Sequence, residues 1–97
     1  MSMPDPARRM AAIEARLRQA LAPQELVLAD ESHRHRGHAG AADGRGHYRL
    51  RIVSPQFAGL APIARHRTVY AALGALMATD IHALSIEALA PGEAGTA

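Results

Sequence analysis

A chain of 97 residues suits one domain with one modest core. Its 48% hydrophobic and 21% charged residues are globular proportions, which exclude an intrinsically disordered chain. The absence of cysteine excludes disulfides, a thiolate zinc site and an all-cysteine iron–sulfur site, while a formal charge of +2, with arginine as every basic residue, permits an anionic partner without demanding one.

The amino-terminal residues lead into no apolar signal core, and no stretch approaches the ~20 apolar residues of a membrane span. A cytoplasmic protein is the expectation. Asp5-Pro6 starts a helix, with Asp as N-cap and Pro in the first turn. Met10, Ile13, Leu17 and Leu21 then recur at helical spacing, which predicts an amphipathic helix over 6–21, stopped by Pro23. Residues 25–31 read as a short strand. A histidine- and glycine-rich loop follows, long for a small domain, and such loops are often functional. From 47 to 54 the sequence alternates: Tyr48, Leu50 and Ile52 share one face, Arg49 and Arg51 the other. That is a half-buried antiparallel strand.

Ser54-Pro55 repeats the cap-plus-proline signal and predicts a short helix around 55–58, ended by Gly59. A third helix is expected over 62–78, with an apolar stripe of Ile63, Val69, Tyr70, Leu73, Leu76 and Met77. A last strand over 82–89 puts Leu84, Ile86 and Ala88 on one face and Ser85 and Glu87 on the other. The order is α-β-β-α-α-β. The first two strands can pair as a hairpin, and the third returns after a helical crossover. The expected fold class is α+β: a three-stranded mixed sheet with helices packed on one face, and a single domain over 1–90. Residues 91–97 are expected to be a disordered tail.

Histidine is the candidate chemistry. Four of the six, His33, His35, His38 and His47, fall in or beside the glycine-rich loop; the others are His66 and His82. Neutral imidazole is a common metal ligand and titrates near physiological pH. On spacing alone the loop histidines read as a solvated polar loop rather than a metal site. His82 reads as a hydrogen-bonded histidine at a sheet edge, and His47 as a packing position at a strand start. His66, between Arg65 and Arg67, reads as structural or surface, with the two arginines facing water or an anionic partner.

A set of local motifs carries a more specific signal. Asp30-Glu31-Ser32 stands before a loop histidine, and His47-Tyr48 opens the second strand. Val53-Ser54 is followed by Phe57-Ala58-Gly59. Pro62-Ile63-Ala64-Arg65-His66-Arg67 runs on to Val69-Tyr70, and Ile81-His82-Ala83-Leu84-Ser85-Ile86 closes the series. In this combination and order the chain resembles the BolA family, over about residues 10–90. The resemblance implies the α-β-β-α-α-β arrangement, akin to type II KH domains. It also implies a monothiol glutaredoxin as partner and a [2Fe-2S] cluster shared with that partner and its glutathione. The family pattern maps one cluster ligand onto His82. A second comes from the loop between the first two strands: counting from Asp30-Glu31-Ser32 without a gap gives His35, with His38 as the alternative. Arg65, His66 and Arg67 are the candidate partner- or anion-binding residues. After Ala90 the chain departs from the family, which often continues with another helical turn and aromatic residues.

This chemistry suits a chain without thiols. Two imidazoles on one iron, as in Rieske centres, leave the other iron for thiolates from elsewhere. Nucleic-acid binding is the alternative, since the implied fold is KH-like. However, Gly37-His38-Ala39-Gly40 lies between strands, where the Gly-x-x-Gly loop of a KH domain lies between helices. Tyr48, Phe57 and Tyr70 also offer few surfaces for base stacking. No enzyme constellation is legible, because Asp30 and Glu31, adjacent on a strand, point to opposite faces.

Overall fold

The computed structural model describes residues 5–32 and 46–93. Helix α1 (Pro6–Leu21) begins where the sequence places it: the Asp5 carboxylate accepts from the Ala7 N–H at 3.3 Å, and Pro6 occupies the first turn. It ends on Ala22, which takes a left-handed conformation (φ 44°, ψ 56°) and donates its N–H to the Arg18 carbonyl. Ile13, Leu17 and Leu21 form its buried stripe.

Strands β1 (Glu25–Asp30), β2 (Gly46–Val53) and β3 (Ile81–Leu89) form one sheet in the order β1-β2-β3. β1 and β2 are antiparallel, and β2 and β3 are parallel, as the helical crossover requires. Tyr48, Leu50 and Ile52 bury the helix-facing side of β2 against Ile13, Leu17, Phe57, Val69 and Leu73. Leu26 and Leu28 of β1, and Leu84, Ile86 and Ala88 of β3, pack onto the same core. The outer face is wet. There Arg51 of the central strand bridges Glu25 of β1 at 2.7 Å and Glu87 of β3 at 3.2 Å. Arg49 sits 3.5 Å from Glu31 on the same face.

Between β2 and β3, Pro55–Phe57 form a single 3-10 turn. Helices α2 (Pro62–Leu73) and α3 (Leu76–Thr79) follow. The single helix expected over 62–78 is therefore two. Gly74 sits at φ 55°, ψ −128°, a conformation that an L-residue rarely adopts and that ends α2 outright. The expected apolar stripe also needs correction. Val69 and Leu73 are fully buried, but Ile63 is 62% and Tyr70 42% exposed. At 100° per residue, Tyr70 lies a quarter-turn off the Val69–Leu73 line, so its apolar character does not take it into the core. At the carboxyl end, where a tail was expected from 91, residues 91–93 form a turn that returns Glu93 to Arg65. Residues 94–97 lie outside the described residues.

Candidate functional site

The β2–β3 ladder carries one irregularity, and it falls on the histidine pair. Gly46 is opposite Ile81, while His47 is opposite Ala83. One step on β2 is thus matched by two on β3, and His82 is the extra residue of a bulge. The consequence follows from strand alternation. Counting back from the core-facing Ala88, Ile86 and Leu84, the next inward position would be His82. The bulge breaks that alternation: Ile81 is buried (1% exposed) and His82 is exposed. An imidazole that regular pleating would carry into an apolar core is delivered to solvent at the end of the sheet.

His47 stands beside it. Its ring centroid lies 4.9 Å from that of His82, with the planes tilted by 46°. Unlike His82, His47 is buried, at 7% exposure. Its backbone is held from both sides, because its N–H donates to Ser32 Oγ at 3.0 Å and its carbonyl accepts from the Glu31 N–H at 2.7 Å. Asp30 completes this clasp, its carboxylate accepting from the Ser32 N–H at 2.9 Å. The Asp30-Glu31-Ser32 motif therefore pins the point where the chain leaves β1 to the point where it re-enters β2. Ser32 and Gly46, the described residues that flank 33–45, are thereby held at the His82 end of the sheet, where Gly46 N–H also donates to the Asp80 carbonyl at 2.9 Å.

A second brace holds this corner from the helix side. Arg9 of α1 meets Asp80 at 3.1 Å, with both side chains largely shielded. The Arg9 guanidinium also acts on the Tyr48 hydroxyl. Burial pushes the Tyr48 hydroxyl above its ordinary pKa, with Arg9 opposing the shift. The residues immediately before His82 are thus tied to both α1 and β2.

Of the other candidates, Arg65, His66 and Arg67 lie away from this corner. His35 and His38 fall outside the described residues. Arg65 sits toward the opposite end of β3. Its Nε donates to the Leu60 carbonyl at 2.8 Å and its Nη1 to the Ala88 carbonyl at 3.0 Å, while both terminal nitrogens grip Glu93 at 2.6 and 2.9 Å. Four hydrogen bonds thus engage this guanidinium inside the chain. His66 is half-buried on α2 and Arg67 is exposed. The residue underweighted by sequence is His47. Alternation places it at the start of a strand, and only the bulge brings its ring against His82.

The described residues contain no group of three or more His, Cys, Asp or Glu arranged to hold a metal ion. What they offer is one exposed imidazole backed by a buried one, a donor set suited to part of a coordination sphere. No described helix is long and apolar enough to cross a membrane.

A mixed three-stranded sheet covered by helices on one face, with an exposed histidine at the bulged start of its parallel edge strand, defines a small α+β domain. The family described as BolA-like protein matches residues 17–93, and the chain belongs to that family. Mouse (Mus musculus) BolA-like protein 1 is 45% identical over 83 residues, covering 86% of this chain; the chain spans 58% of the mouse protein's length. The DNA-binding transcriptional regulator BolA of Escherichia coli is 38% identical over 74 residues, covering 76% of this chain and 68% of its own. Among solved structures, the BolA domain of SufE1 from Arabidopsis thaliana superposes with a TM-score of 0.79 at 40% identity, covering 93% of this chain and 99% of that one.

Proposed function

We propose that the protein is a non-enzymatic member of the family that binds a monothiol glutaredoxin and co-ligates a [2Fe-2S] cluster with it, acting in iron–sulfur cluster trafficking or assembly, or in iron regulation. The observation that carries this reading is His82: an imidazole expelled from the core by a bulge, exposed at the sheet end where the histidine-bearing connection begins and ends. The chain has no cysteine, so its contribution is imidazole, and thiolates come from the glutaredoxin and its glutathione. His82 is one ligand. A loop histidine, His35 or His38, is the other. His35 is only three residues beyond Ser32, a tether of at most roughly 10 Å from a point clasped to His47. The cluster, when bound, is cargo and redox centre; the protein itself presents ligands and leaves room for the partner. Arg67 and His66 on α2 are the remaining candidates for a partner's anionic groups, since Arg65 is engaged internally.

The test is to mix the protein with a cluster-loaded glutaredoxin homodimer and follow visible circular dichroism. The wild type changes the spectrum, and His82→Ala abolishes or strongly weakens that change. A variant spectrum identical to wild type removes His82 as a ligand. His35→Ala and His38→Ala, compared in the same way, separate the two loop candidates.

A second reading, direct nucleic-acid binding in transcriptional regulation, draws on the name of the Escherichia coli relative. It requires duplex affinity that falls steeply with salt, as phosphate neutralisation dictates. Absence of binding at moderate salt leaves the glutaredoxin reading alone.

A further inference from the structure

An exposed histidine on a bulge has a problem as a ligand. An outward turn of the backbone does not by itself choose a side-chain rotamer, and a metal accepts the ring nitrogen from one direction only. Metal-bound histidines are ordinarily oriented by a hydrogen-bond partner on the other ring nitrogen, and loss of that partner weakens the site; a ring packed on the imidazole can restrict the same rotation. Here the ring against His82 belongs to His47. His47 is a rigid base: it is buried, both of its ring nitrogens are shielded from solvent, and its own N–H and carbonyl are clasped by Ser32 and Glu31. The rings lie 4.9 Å apart and tilted by 46°, within the range at which planar rings pack with orientational preference.

We infer that His47 is the positioning residue of the site: its buried ring packs on the His82 imidazole and fixes the direction in which His82 is presented to a metal. This rests on the reading of His82 as a ligand. The bulge and the ring pair act together. The bulge turns His82 outward, and the His47 ring packed on it restricts the orientations open to it. Shielded as it is, the His47 ring acts through His82 and does not itself reach a metal. Shape is what matters in this role, so a planar ring of similar size can substitute and a branched aliphatic side chain cannot.

The experiment compares His47→Leu, His47→Phe and His82→Ala in the complex with a cluster-loaded glutaredoxin, alongside the metal-free protein alone. Far-UV circular dichroism and thermal melting first establish that each variant is folded. Loss of cluster to a chelator is then timed, and visible circular dichroism and electron paramagnetic resonance spectra are recorded. His47→Leu is expected to lose cluster about 10-fold faster or more, with altered spectra, and His47→Phe to recover wild-type behaviour. In the metal-free wild type, NMR should show ring-to-ring contacts between His47 and His82 and a single His82 rotamer. A folded His47→Leu with wild-type retention and spectra, while His82→Ala loses the cluster, overturns the inference and leaves the ligand reading standing. His47→Phe behaving as badly as His47→Leu overturns positioning by shape. His82→Ala with full retention overturns the ligand reading itself. If His47→Leu does not fold, an averaged His82 rotamer in the wild type is the overturning result.

Discussion

At the scale of single residues, the site corner depends on a missing side chain. Gly46 begins β2 next to Ile81, and the Tyr48 ring and hydroxyl lie directly over its α-carbon. A Cβ at Gly46 would overlap ring carbons and the hydroxyl of Tyr48 together, so close approach is what demands glycine here. Tyr48 cannot simply move aside, because it is 3% exposed and packed in the core. Gly46→Ala should therefore destabilise the fold by about 1–3 kcal/mol, the usual cost of forcing a well-packed side chain out of place. Urea denaturation measures the loss. An alanine variant as stable as wild type would mean that Tyr48 has another place to go.

Between elements, the corresponding device is Ser54. The last carbonyls of a helix have no partner inside it. At the end of α1 the Ser54 hydroxyl, fully buried, donates to the Leu21 carbonyl at 2.6 Å, and the same oxygen accepts the Gln56 N–H at 3.1 Å. One side chain thus joins α1 to the β2 exit and caps the following turn. Ser54→Ala should cost about 2 kcal/mol by leaving a buried carbonyl unsatisfied and removing a cap, and Ser54→Thr should recover part of it; thermal unfolding distinguishes the two. In the sequence Ser54-Pro55 is legible as a cap, whereas its bond to Leu21 is not, since nothing local announces a partner 33 residues away. The same division runs through the other elements. α1 is readable to the residue because cap, proline and apolar stripe all agree. The α2–α3 break is hidden because Gly74 interrupts a pattern that alanine and leucine would have continued. The bulge at His82 is invisible because alternation has no signature for one extra residue; the motif match marks His82 as important without saying how it leaves the core.

Across the whole molecule, the far end of β3 mirrors the histidine end: one corner is held by Arg9 with Asp80, the other by Arg65 with Glu93. Arg65 reaches from α2 to the Leu60 carbonyl, the Ala88 carbonyl of β3 and the Glu93 carboxylate. It thus anchors the crossover, the edge strand and the chain beyond it with a single guanidinium. Two parallel N–H···O contacts make the Glu93 pair geometrically specific. That hydrogen-bonded grip, helped by the Ala90 N–H, lowers the Glu93 pKa from 4.5 to about 2. A carboxyl whose folded pKa is depressed binds protons more readily when unfolded, so its stabilising effect is complete above the unfolded value and fades as pH falls toward the folded one. The contribution of Glu93 should therefore be intact above about pH 4.5 and disappear as pH falls through about 2. Glu93→Gln keeps the shape of the side chain and removes the charge. It should be less stable than wild type near pH 6, and the gap should close between pH 4.5 and 2. Urea denaturation of both proteins at several pH values measures this difference directly, and subtracting the variant removes the titration of the other carboxylates. A gap that stays constant over that interval would mean that the charge of Glu93 contributes nothing, and that the carboxyl corner is held by Arg65's bonds to the Leu60 and Ala88 carbonyls alone.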